Sequence, residues 1–174
     1  VYSSVQEGIG GEMEYMVSGG GSLSKDLAKV FIGMGVTIIE GYGLTETSPV
    51  VSTHPPEDIR PGTMGVPLVG CEVKVDDSVV GPHQFEEATG DVGELLIRGE
   101  NVSEGYWEKP EATERAFTDD GWFRSGDIVE RTHDDYLIFK ERRKQIMVLS
   151  TGKNVAPGPI EDAFSTNDRV DQVM

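Results

Sequence analysis

The sequence predicts a mixed fold, part α/β and part β, because one kind of pattern ends and another begins near residue 60. Glu14–Ser18 reads as a short strand, and a glycine run follows it. Leu23–Met34 puts Leu27, Phe31 and Met34 on one face of a helix, with Ser22 placed as its N-cap. Val36–Glu40 is a largely β-branched run. Strand, glycine loop, helix and strand in that order make a parallel βαβ unit, the terminal portion of an α/β sheet. From Gly62 onward short strands alternate with Gly, Asp and Pro clusters, at Cys71–Val75, Val92–Arg98, Ile128–Arg131, Tyr136–Lys140 and Gln145–Leu149. That spacing predicts a small distorted antiparallel β-barrel or sheet. Pro110 opens a helix to Phe117, another helix begins around Pro159–Phe164, and Asp76–Asp91 is the expected surface loop. Two strands and one helix leave apolar sheet surface uncovered, so the chain reads as a fragment of a larger protein.

Composition narrows the function. With 15 basic against 31 acidic residues and a net charge of −16 in 174 residues, a nucleic acid or an anionic membrane is disfavoured as a partner. No apolar run is long enough for a membrane span, and Val1–Gly10 lacks the pattern of a signal peptide. The single cysteine, Cys71, fits a reducing compartment, and the expectation is a cytoplasmic protein. Charge is also uneven: residues 1–60 sum to −5, 61–134 to −11 and 135–174 to zero. Lys140, Arg142, Arg143 and Lys144 form a compact cationic cluster, read either as a solvated strand face or as an anion site.

The usual nucleotide signatures are missing. No P-loop occurs, and Gly33-Met34-Gly35 and Gly41-Tyr42-Gly43 both lack the third glycine of a dinucleotide fingerprint. His54, His83 and His133 are scattered, without zinc-site spacing. The informative segment is the turn expected after the second strand, Gly41-Tyr42-Gly43-Leu44-Thr45-Glu46-Thr47, since open α/β sheets bind ligands at the carboxyl ends of strands. Gly41 and Gly43 allow close backbone approach, Tyr42 offers a flat face to a base, Thr45 a hydroxyl to phosphate, and Glu46 a hard carboxylate to Mg²⁺. Gly19, Gly20 and Gly21 follow the first strand and would bring backbone amides to the same sheet edge. An ordinary glycine-marked surface turn is the competing reading.

Four motifs in order carry a family resemblance: Tyr42-Gly43-Leu44-Thr45-Glu46; Gly93-Glu94-Leu95-Leu96-Ile97-Arg98-Gly99 leading to Gly105-Tyr106-Trp107; Trp122-Phe123-Arg124-Ser125-Gly126-Asp127; and Glu141-Arg142-Arg143-Lys144 leading to Gly152-Lys153-Asn154. Together they resemble the adenylate-forming superfamily, and Glu40–Thr47 and Gly152–Pro157 are most similar to its long-chain fatty acyl-CoA synthetases. The resemblance implies three parts: residues 1–60 as the end of an α/β AMP-binding subdomain, 61–139 as a β-barrel subdomain, and 140–174 as a hinge and the start of a small α+β domain. It implies Tyr42 on adenine, Thr45 on the AMP phosphate, Glu46 on Mg²⁺, Asp127 on the ribose hydroxyls, Arg142 on the ribose and phosphate, and Lys144 at the hinge. Thr45, Glu46, Arg142 and Lys144 are then the catalytic set, and the glycines line the nucleotide. The Gly93 motif is read as structural, and Gly62-Thr63-Met64-Gly65 as a barrel turn.

The implied cofactors and substrates are ATP, Mg²⁺, CoA and a carboxylic acid. A fatty acid substrate leaves peripheral membrane contact of the parent open. An acyl-AMP ligase, an adenylation domain feeding a carrier protein, and a non-catalytic nucleotide-binding module are the alternatives. Departures from the family pattern are Glu141, Gln145, Thr151 and Asp135, the last at a hairpin position that requires positive φ. Two phosphate-handling lysines of the family have no counterpart between residues 1 and 174, so the isolated fragment is expected to be inactive.

Overall fold

The computed structural model describes residues 4, 7–21, 23–80, 84–145, 147–148, 154–155 and 164. The βαβ unit forms as the sequence predicts. Strand β1 (Met16–Ser18) pairs in parallel with the first half of β2 (Ile38–Gly43), Met16 opposite Ile38. Helix α1 (Lys25–Gly33) connects them. Ser24 caps it, its Oγ accepting from Leu27 N at 3.5 Å, whereas Ser22 lies outside the described residues. The buried residue of α1 is Ala28, whose small side chain lets the helix lie against β2; Leu27 is turned outward, 46% exposed.

Beyond Glu40 the first sheet changes character. The second half of β2 pairs antiparallel with β3 (Val50–Thr53), which pairs antiparallel with β4 (Val66–Pro67), giving the order β1-β2-β3-β4. Gly41, Tyr42 and Gly43 are therefore strand residues, and the turn starts at Leu44, later than the sequence predicts. The reason is packing at Gly43. A Cβ there would lie 1.7 Å from Pro49 O, and with no side chain the strand runs on until Leu44 N donates to Pro49 O at 3.0 Å.

A second four-stranded antiparallel sheet is built from β5 (Cys71–Asp76), β6 (Asp91–Gly99), β7 (Phe123–Arg131) and β8 (Leu137–Arg142), in that order. It is an open sheet and not the expected barrel: among the described residues β5 and β8 are its edges, and β4, the strand before β5, is taken by the first sheet. Helix α2 (Pro110–Ala116) lies between β6 and β7, with proline in its first turn as predicted. A ribbon of β9 (Met147–Val148) with β10 (Asn154–Val155) completes the described strands. The expected helix around Pro159 falls outside the described residues save Phe164. Asp135 has φ +67°, as the hairpin requires.

The core sits between the sheets. Val51 of β3 packs with Leu95 and Ile97 of β6, Phe123 and Val129 of β7, and Leu137 of β8, with Tyr42 and Leu44 against them. Burying these side chains supplies about 1.5–3 kcal/mol each. It also sets the end of β2 beside the middle of β7. The segment 54–65 ties the sheets together: Met64 N donates to Leu137 O (2.7 Å), Leu137 N to Gly65 O (2.9 Å), and Tyr136 Oη to Asp58 O (2.8 Å).

Candidate nucleotide site

A β-bulge makes the centre of the site. Glu94 and Leu96 of β6 face Ile128 and Arg124 of β7, so Ser125, Gly126 and Asp127 together oppose Leu95. Such a bulge re-aims side chains and takes backbone donors out of the ladder. Gly126, at φ +73°, donates its N–H to Glu94 Oε1 (3.2 Å), and Asp127 N donates to Ser125 Oγ (3.1 Å). The sequence presents Gly126 as a strand break, which is why β7 starts five residues earlier than predicted.

Asp127 is completely buried. Tyr42 Oη donates to its Oδ2 at 2.7 Å across the gap between the sheets, and Arg142 Nε stands 3.1 Å from its Oδ1. Arg142 is the direct cross-strand partner of Asp127 on β8, so register alone brings the two together. Burial pushes the Asp127 carboxyl above its usual range, against the Tyr42 hydrogen bond and the Arg142 charge. Burial, then the neighbouring carboxylate, pushes the Tyr42 phenol up as well. Among the described residues Asp127 Oδ1 accepts no hydrogen bond with good geometry.

Thr45, Glu46 and Thr47 form a 3-10 turn at the end of β2. Thr45 is exposed and Glu46 half-buried. The buried Thr47 hydroxyl holds the turn, accepting from Leu44 N (2.9 Å) and lying 2.5 Å from Pro49 O. Glu46 Oε1 accepts from Tyr106 Oη at 2.7 Å. A single accessible carboxylate beside hydroxyls fits Mg²⁺, which takes one or two carboxylates from protein and its remaining ligands from water and phosphate. Gly19 abuts the second strand, since a Cβ on it would lie 3.2 Å from Gly41 O, so the two glycine segments do share one sheet edge. Gly20 and Gly21 are exposed there.

Most of the cationic cluster is engaged in ion pairs within the protein. Lys140 pairs with Glu130 (2.6 Å), Arg142 with Asp127, and Arg143 with Glu94 (2.9 Å), so three of its members neutralise buried carboxylates of β6 and β7. Lys144 lies exposed in the turn after β8. Thus Tyr42, Asp127 and Arg142 converge, Thr45 and Glu46 sit at the adjoining strand end, and Lys144 follows them on the chain. Gly152 and Lys153 are outside the described residues.

Two participants, Glu94 and Tyr106, are not among the site residues expected from the sequence. Glu94 is 2% exposed yet charged, and it holds Gly126, Arg124 (3.4 Å) and Arg143; a carboxylate inside an otherwise apolar run was the available signal. Tyr106 carried no comparable signal, because its partner is 60 residues away.

The chain is 38% identical over all 174 residues to the long-chain-fatty-acid–CoA ligase FadD15 of Mycobacterium bovis, covering 26% of that protein. It thus spans about a quarter of the length of the curated relatives it matches. Among solved structures it resembles ATP-bound MatB from Rhodopseudomonas palustris, with 32% identity and a TM-score of 0.75 over 87% of this chain and 29% of that one. It also resembles the O-succinylbenzoate coenzyme A synthetase MenE of Bacillus subtilis in complex with ATP and magnesium ion, with 26% identity and a TM-score of 0.76 over 98% of this chain and 36% of that one. The family of AMP-binding enzymes matches residues 4–107, more than half of the chain, and the chain belongs to that family.

Proposed function

We propose that this chain is the nucleotide-binding part of a ligase that activates a long-chain fatty acid with ATP and passes the acyl group to CoA. The observation that carries the reading is the buried Asp127 carboxylate, held between Tyr42 and Arg142 at the end of a glycine-rich strand. Its Oδ1 has an ion pair but no well-formed hydrogen bond, and two vicinal ribose hydroxyls would supply donors to such a carboxylate. Arg142, half exposed, is free to turn from Asp127 toward a phosphate and open the way. Tyr42 then lies against the base, and Gly19–Gly21 and Gly41–Gly43 line the nucleotide.

In the first half-reaction a fatty carboxylate oxygen attacks the α-phosphorus and the bond to pyrophosphate breaks, giving acyl-AMP. Thr45 donates its hydroxyl to the phosphate and Arg142 offsets the charge that develops there. Mg²⁺, held by Glu46 and the phosphates, would neutralise charge on them. In the second, the CoA thiol attacks the acyl carbonyl and AMP leaves. Lys144, in the exposed turn after β8, is the pivot that lets the following segment change place between the steps. Cosubstrates of this kind fit the cytoplasm, and no helix among the described residues is long and apolar enough to cross a membrane.

The test is fatty-acid-dependent ATP–pyrophosphate exchange by the full-length protein. Long-chain acids should elicit exchange, and CoA should release AMP. Asp127→Ala should raise the KM for ATP about 10- to 100-fold, from the loss of charge-assisted hydrogen bonds. Exchange driven by short or aryl acids and not by fatty acids would refute the substrate class, and unaltered ATP kinetics would reduce Asp127 to a bulge residue.

A further inference from the structure

We propose that the segment after β6, from Asn101 to Tyr106, is a positioning clamp on the Thr45–Thr47 turn, in which Tyr106 sets the orientation of the Glu46 carboxylate. This rests on the reading of Glu46 as the Mg²⁺ ligand. Four hydrogen bonds run from the segment to the turn and its flank, all in one direction. Asn101 Nδ2 donates to Thr47 O (3.0 Å) and Val50 O (3.2 Å), Ser103 N to Glu46 O (2.8 Å), and Tyr106 Oη to Glu46 Oε1 (2.7 Å). The first three hold the backbone of the turn; the fourth holds the side chain.

The segment is itself anchored. Tyr106 N donates to Thr113 Oγ1 (2.9 Å) on α2, and Gly105, at φ +144°, has no room for a Cβ, which would lie 2.4 Å from Thr113 Cγ2. Tyr106, itself 39% exposed, therefore starts from a fixed base and turns its hydroxyl to Glu46, while the adjoining Trp107 is 88% exposed. A glutamate alone has three freely rotating torsions. With Oε1 held by the phenol, Oε2 is presented in one direction, so metal binding loses less freedom.

The experiment uses the full-length protein with Tyr106→Phe and Glu46→Gln, and two readouts. Calorimetry compares ATP binding in EDTA with ATP binding in Mg²⁺, and pyrophosphate exchange is titrated with Mg²⁺ at saturating ATP. Tyr106→Phe should raise the half-saturating Mg²⁺ concentration about 3- to 10-fold, and weaken ATP binding in Mg²⁺ alone, with ATP binding in EDTA unchanged. High Mg²⁺ should restore kcat, which a general packing defect would not allow. If Glu46→Gln shifts the Mg²⁺ dependence and Tyr106→Phe does not, the clamp is overturned and the metal site stands. If Glu46→Gln leaves the Mg²⁺ dependence unchanged, both fail. Equal weakening of ATP binding with and without Mg²⁺ in Tyr106→Phe would also overturn the clamp.

Discussion

The two sheets hold their halves of the proposed nucleotide site by different physics. At the end of the first sheet, the parts are fixed by close backbone approach and neutral hydrogen bonds: Gly43 against Pro49, the Thr47 hydroxyl on Leu44, and His54 on Glu40. In the second, they are fixed by buried carboxylates, Glu94, Asp127 and Glu130, each paired with a cation from β7 or β8. A neutral network tolerates no change of shape, whereas a charged one tolerates no change of partner. The element proposed to adjust, Arg142, comes from the charged side, where its long side chain is half exposed.

Gly43→Ala attacks the neutral half and should have the largest effect. The added methyl cannot be accommodated 1.7 Å from a carbonyl oxygen, so β2 and β3 must separate, at about 3 kcal/mol or more. Urea unfolding of the full-length protein should show a clearly lowered midpoint, and an unchanged midpoint would mean that the two strands do not meet there.

Glu94→Gln attacks the charged half and should have an intermediate effect, about 1–3 kcal/mol. It keeps an acceptor for Gly126 but leaves Arg143 and Arg124 without their shared anion. Since the same carboxylate steadies the bulge that carries Asp127, the KM for ATP should rise together with the loss of stability. Lost stability with an unmoved KM would separate the carboxylate from the site.

The smallest effect is a pH dependence that distinguishes the halves. His54 is 2% exposed and accepts from Glu40 N at Nδ1 (3.1 Å), so its proton is on Nε2, facing Arg60 O and Thr63 Oγ1. Burial lowers its pKa below the usual 6.5. A histidine depressed in the folded state contributes stability above the unfolded pKa and loses it as pH falls through the folded one. Below pH 6.5 the exchange protection of the Glu40 amide should therefore fall, and His54→Asn should remove that dependence. For Glu130, burial pushes the carboxyl up, but Lys140 and the Thr89 and Gly90 amides outweigh it and the net direction is down. Protection of Thr89 and Gly90 should persist through the same pH range; parallel loss at both places would erase the contrast.

Local pattern was enough for β1, α1, the start of β2, and most of β5, β6, β8 and α2, because each carries its own periodicity or its own cap. The candidate residues Tyr42, Thr45, Glu46, Asp127 and Arg142 were also visible, as motifs in family order. What local pattern could not supply was partnership. Val50–Thr53, between Pro49 and Pro55, is too short to show a period of its own and becomes a strand because β2 offers it an edge. Gly126 looks like a terminator and becomes a bulge because Glu94 accepts its amide. The cations in and after β8 look like a surface or an anion site, and three of the four pair with acids of β6 and β7, Arg142 with its own register partner Asp127.

The sequence by itself determined which residue types were present for the chemistry and the class of fold that carries them. Only the tertiary structure decided that the second sheet stays open, that Tyr42 and Asp127, 85 residues apart, share a proton donor and acceptor, and that Tyr106 reaches Glu46. The physical reason is that strand periodicity and turn chemistry act over a few neighbouring residues, while pairing edges, burying charge and satisfying a lone donor depend on what the core brings within about 3 Å.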